Sequence, residues 1–110
     1  MTARRRKRRG PRAPTFGAPD PLLDARPEAT LDLHGDTALE AERRTHDFIV
    51  THSRIAPGTI VHVITGRGKG SSGRPVLPGV VRRVLTGTAS RFVSAFDQDL
   101  DGGGYLIRLR

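Results

Sequence analysis

Between residues 30 and 65 a short apolar run, a long amphipathic stretch and a second short apolar run follow one another. Each apolar run ends on a glycine, and few folds accommodate that pattern. The first run, Leu31-Asp32-Leu33-His34-Gly35, alternates in the manner of a strand over 30–33, with Leu31 and Leu33 on one face and Asp32 and His34 on the other. Asp36 or Thr37 is placed to cap a helix, and Glu40 stands where a capping box requires it. Ala38, Ala41, Thr45, Phe48, Ile49 and His52 recur at helical spacing and form the expected buried stripe. Pro57-Gly58 ends that helix near 54–56, and the β-branched residues of 59–65 make a second strand. A strand–helix–strand unit of this length closes by a right-handed crossover, so the two strands are expected to be parallel neighbours.

The rest of the chain adds three elements. After the glycine- and serine-rich loop 66–75, a shorter helix is expected over 76–85, with Leu77, Val80, Val81, Val84 and Leu85 as its apolar face. Pro78 fits only its first turn. A strand over 92–96, an acidic glycine turn over 97–103 and a closing strand over 104–109, read as an edge strand able to pair with a copy of itself, complete the order β-α-β-α-β-β. The fold class is α/β: a two-layer sandwich with a four-stranded mixed sheet and two helices on one face. With four Phe, one Tyr and no Trp the core is small.

The 110 residues have room for one compact domain and a tail. Residues 1–27 hold five of the eight prolines and eight Lys or Arg against Asp20 and Asp24, so they read as a disordered basic tail preceding a domain over 28–110. Leu22-Leu23 is the tail's one apolar dipeptide, available to dock on the domain or a partner. Of the net charge of +8, +6 belongs to the tail and +2 to the domain. The cluster Arg4, Arg5, Arg6, Lys7, Arg8 and Arg9 points to a polyanion, nucleic acid before a membrane surface, because no apolar face accompanies it. Without cysteine there are neither disulfides nor thiolate metal sites. No apolar stretch is long enough to span a bilayer and no secretory signal follows the basic start, so the cytoplasm is the expected compartment.

Two loops carry the candidate chemistry. Asp32 and His34 leave the sheet on one side, where a carboxylate can orient an imidazole able to exchange protons near neutral pH. The loop Thr65-Gly66-Arg67-Gly68-Lys69-Gly70 offers cations and unhindered N–H groups to phosphate oxygens. Gly68-x-Gly70-x-x-Gly73 matches the dinucleotide fingerprint formally, but too little chain follows for that fold, and Pro75 and Pro78 interrupt the helix it needs. The P-loop spacing is absent. Asp97-Gln98-Asp99-Leu100-Asp101 superficially suggests calcium but lacks the terminal Glu of a twelve-residue loop, so it reads as an acidic turn. His62 either approaches the Asp32–His34 side or is a half-buried strand residue. His46 reads as solvated and His52 as packed under the sheet. No spacing supports zinc; a divalent metal such as magnesium stays open, with Asp32 its ligand if one takes part.

In order and spacing, Leu31-Asp32-Leu33-His34-Gly35, Thr65-Gly66-Arg67-Gly68 and Gly102-Gly103-Gly104 before an apolar strand resemble the Smr (small MutS-related) domain over about 29–110. Arg74-Pro75-Val76-Leu77 resembles a stretch of its stand-alone bacterial members. The closing glycines depart from the family in being compressed to three before Tyr105. The resemblance implies a fold similar to the C-terminal domain of bacterial translation initiation factor three, and endonuclease activity on DNA or RNA. It carries Asp32 and His34 over as catalytic, with Gly66, Arg67 and Gly68 as substrate-binding; Gly35, Thr65 and Lys69 flank them in the same loops. The alternative is a nucleic-acid- or ribosome-binding module that does not cut. A phosphate-ligand enzyme using the glycine loop comes third. A monomer is the expected state.

Overall fold

A computed structural model describes residues 26–66 and 76–110. The expected tail contacts Arg4 to Arg9, the Leu22-Leu23 dipeptide and the loop residues Arg67, Gly68, Lys69, Gly70, Gly73 and Pro75 lie outside the described residues. The elements run β1 (Ala29–Asp32), α1 (Ala38–Ile55), β2 (Ile60–Ile64), α2 (Leu77–Thr86), β3 (Val93–Gln98) and β4 (Gly104–Leu109), with a 3₁₀ turn, Ser90–Phe92, before β3. The sheet has four strands in the order β1-β2-β4-β3. β1 and β2 are parallel, while β4 is antiparallel to both β2 and β3. This is the two-layer α/β arrangement read from the sequence.

Period-two alternation decides the layers. Val61 and Val63 of β2, Tyr105, Ile107 and Leu109 of β4, and Leu33 just after β1 are buried and share one core with Ala41 and Ile49 of α1 and Val80, Val81, Val84 and Leu85 of α2. Burying side chains of this size contributes about 1.5–3 kcal/mol each. Ile60 and Leu106 form a separate cluster on the opposite face, where Ala95 packs beside them. Hydrogen-bonded ladder contacts begin with Glu28, whose N–H donates to the Ile60 carbonyl.

α1 starts at a complete capping box: Thr37 Oγ1 accepts from the Glu40 N–H at 3.1 Å, and Glu40 Oε1 accepts from the Thr37 N–H at 2.9 Å. The expected stripe is buried at Ala41, Thr45 and Ile49, and half-buried at Phe48. Ala38 departs from it: it is exposed in the first turn of the helix. His52 is half-buried, its ring 4.5 Å from that of Phe48 on its own helix, and His46, expected to be solvated, is half-buried beside Asp47. α2 lies one residue later than expected, with Pro78 in its first turn.

Two further expectations are corrected. β4 is not an edge strand: it lies between β2 and β3, and β1 and β3 are the edges. Tyr105, Leu106, Ile107 and Leu109 are all buried, a run on both faces that only an interior strand can hide. The third strand runs to Gln98 rather than 96 because its partner register extends to Tyr105, and Phe92 is drawn into the 3₁₀ turn before it.

Candidate functional site

The carboxyl ends of β1 and β2, the amino ends of α1 and α2, and the β3–β4 turn gather at one end of the sheet, a consequence of the strand directions. Ligands of open α/β sheets bind outside such carboxyl ends. β1 stops at Asp32, and the Leu33 N–H donates to the Ile64 carbonyl at 2.8 Å, which carries the parallel ladder one residue further. The chain then turns through His34 and Gly35, closed by the Asp36 N–H on the Leu33 carbonyl at 2.9 Å. Gly35 takes φ +88° in this turn, a region that side chains other than glycine's rarely occupy.

Asp32 and His34 meet through this turn. Asp32 Oδ1 accepts from the His34 backbone N–H at 3.0 Å and lies 3.4 Å from His34 Nδ1. The second distance is longer than that of a good hydrogen bond. The side chains are 77% and 56% exposed for His34 and Asp32, so the imidazole is held near its carboxylate and open to a ligand. Asp36 is engaged elsewhere, accepting from Arg44 at 2.7 Å.

The second motif arrives from β2. The Thr65 and Gly66 N–H groups both donate to the Gly103 carbonyl, at 2.8 and 3.0 Å. The buried Thr65 hydroxyl lies 3.2 Å from both the Gly66 and Gly103 carbonyls, so it braces the loop's base instead of facing solvent. Gly66, at φ +80°, comes so close to His34 that a Cβ built on it would lie 3.4 Å from the His34 Cβ. Asp32, His34, Gly35, Thr65 and Gly66 are thus brought together. Arg67, Gly68 and Lys69 follow Gly66 and lie outside the described residues.

Asp99 is the site residue that sequence reasoning missed. Its Oδ2 accepts from His62 Nε2 at 2.8 Å, with both side chains largely buried, and its Oδ1 accepts from the Gly103 N–H at 3.1 Å. A carboxylate only accepts, so in this contact Nε2 is the donor. The outer ring nitrogen is already engaged, and His62 belongs to the clasp rather than to the exposed pair. The clasp fastens the 99–104 turn to β2, and Gly103 of that turn holds the base of the glycine loop. Gly104 leaves space for it: a Cβ there would lie 2.9 Å from Asp99 Oδ2 and 2.5 Å from the Val63 carbonyl oxygen. The recurring acid of 97–101 directly before the glycines was the available signal. Among the described residues no three His, Cys, Asp or Glu side chains converge to hold a metal ion. An ion at Asp32 would have to complete its shell with substrate oxygens and water.

The Smr domain model matches residues 31–107. The crystal structure of the Smr domain of Thermus thermophilus MutS2 aligns with a TM-score of 0.60 at 21% sequence identity, covering 74% of this chain and 98% of that one. At that identity the likeness speaks for the fold. No curated protein matches the chain.

Proposed function

The chain belongs to the Smr domain family, which is associated with nuclease activity and nucleic-acid binding, and from that premise we propose that it is an endonuclease cleaving phosphodiester bonds of DNA or RNA. The observation that carries this reading is the Asp32–His34 turn, an exposed imidazole tethered to a carboxylate and bordered by Gly66. His34 takes the proton of the attacking water or hydroxyl as the new P–O bond forms. The leaving oxygen regains a proton, from His34 or solvent, as the old P–O bond breaks. Asp32 orients the imidazole. Gly35 and Gly66 border the phosphate without side chains, and Arg67, Gly68 and Lys69, which follow Gly66, are assigned the role of binding it and the charge that develops on it. A divalent metal such as magnesium, if used, would bind Asp32 and polarise a phosphate oxygen.

The same proposal divides the chain into a basic tail, 1–27, and the domain, 28–110. Arg4, Arg5, Arg6, Lys7, Arg8 and Arg9 add affinity that is independent of sequence and sensitive to salt. A monomer in the cytoplasm completes it; among the described residues no helix is long and apolar enough to cross a membrane. The exposure of His34 and its long reach to Asp32 favour one second reading, a module that binds nucleic acid or the ribosome through this surface without cutting. His34→Ala separates the two. The nuclease reading expects cleavage to be lost while oligonucleotide binding stays within about twofold, since a general acid or base contributes about 10²–10⁴ to the rate. Equal cleavage by the variant removes His34 from the chemistry.

A further inference from the structure

Charge on the domain is unevenly placed. α1 sets Glu40, Glu42 and Asp47 against Arg43, Arg44 and Arg54, whereas α2, the 3₁₀ turn and β3 together hold Arg82, Arg83 and Arg91 against Asp97 alone. All three of these arginines are exposed, and α2 buries Val80, Val81, Val84 and Leu85 behind them. Two of them are seated on aromatic rings. The Arg82 guanidinium carbon is 5.9 Å from the centroid of Phe96, and that of Arg91 is 6.0 Å from the centroid of Phe92. Phe96 is itself fixed, meeting the buried Tyr105 edge-on at 5.8 Å. A guanidinium on a held ring has lost part of its rotamer freedom in advance, so it gives up less on gripping an anion.

These rings flank one edge of the sheet. Phe92 precedes β3 and Phe96 lies within it, four residues apart, a span of at most about 14 Å. Projected on the axis of a duplex, where each strand carries one charge per about 3.4 Å, that length is ample for two phosphate contacts. β3 is the edge opposite β1, three strand intervals from the Asp32–His34 turn, or about 14 Å. A phosphate held there is not the one being cut.

We propose that the α2–β3 edge, through Arg82 and Arg91 seated on Phe96 and Phe92 with Arg83 beside them, is a second docking surface for a nucleic-acid backbone. It rests on the nucleic-acid reading above and adds an anchor outside the reacting site. It recognises phosphodiester charge and not base identity, since guanidinium groups along a strand edge contact phosphates without reading base edges.

The test measures binding of the full chain to labelled DNA and RNA oligonucleotides of one sequence, and to phosphatidylserine vesicles, across a salt series, using the parent, R82Q/R91Q, R82K/R91K and H34A. Circular dichroism checks that each variant folds. R82Q/R91Q is expected to weaken binding about tenfold at low salt and to flatten the log–log salt slope by about 1.4–1.8, the loss of two phosphate contacts. R82K/R91K keeps the slope but recovers only part of the affinity, because the charge stays and the stacked fork does not. An R82Q/R91Q slope equal to that of the parent overturns the proposal. So does a loss confined to anionic phosphatidylserine vesicles with oligonucleotide binding intact. Because the readout is binding, H34A failing to abolish cleavage would refute the catalytic reading while leaving this surface standing.

Discussion

Gly104→Ala places one methyl group where the structure has least room for it. The added Cβ would sit 2.5 Å from the Val63 carbonyl oxygen, 3.1 Å from the Ile64 Cα and 2.9 Å from Asp99 Oδ2. Two of these neighbours are backbone of the adjacent strand β2, so they yield only if the β2–β4 pairing opens. The third is the carboxylate of the His62 clasp, which can swing away at the expense of its 2.8 Å bond. Overpacking of this kind costs about 1–3 kcal/mol, and losing a hydrogen bond to a charged group costs about 1.5–3 kcal/mol. Against them stands about 0.4–1 kcal/mol gained because alanine restricts the unfolded chain. The net expectation is a loss of about 1.5–5.5 kcal/mol. For a domain of this size each kcal/mol moves Tm by about 4–8 °C. Urea and thermal unfolding followed by circular dichroism measure it directly. Making the change in a D99A background should be less damaging than the two single losses added together, because the carboxylate no longer competes for the space. A Gly104→Ala loss below about 0.5 kcal/mol, or full additivity with D99A, would refute the reasoning.

Two further outcomes follow from the same geometry. Asp99→Ala leaves His62 Nε2 without its acceptor and frees the Gly103 N–H, so it should cost about 1–3 kcal/mol. Its amide shift changes should include Thr65 and Gly66, which hang on the Gly103 carbonyl; shifts confined to 97–101 would mean the clasp does not reach the glycine loop. Thr37→Ala removes one half of the α1 capping box and should cost about 1 kcal/mol in denaturant midpoint, with Thr37→Ser recovering most of it; equal loss in both variants would locate the effect elsewhere.

Much of this architecture was legible because it depends on local pattern. The Thr37–Glu40 box, Pro57-Gly58, the β-branched run of β2 and Pro78 each state a boundary within a few residues, and the structure keeps them to within one or two. The Asp32–His34 pairing was legible for the same reason: it forms across a turn of two residues. The strand's place in the sheet and the clasp were harder. His62 and Asp99 are 37 residues apart and meet only because β2 and β4 pair. No spacing rule reports such a contact, and an acidic run before glycines looks like any polar turn. The interior position of β4 did have a sign, a run of apolar residues with no polar alternation, which marks a strand covered on both faces. The arginines of α2 and the 3₁₀ turn were lost in a nearly balanced domain charge, and only the fold collects them on one edge.

The most direct test of the central claim is incubation of the purified chain and its His34→Ala variant with end-labelled single- and double-stranded DNA and RNA, with and without EDTA. The parent is expected to cleave at least one substrate and the variant none, the EDTA arm reporting whether a divalent ion takes part. Intact substrate in every lane, alongside salt-sensitive binding, would contradict that claim and leave a binding module in its place.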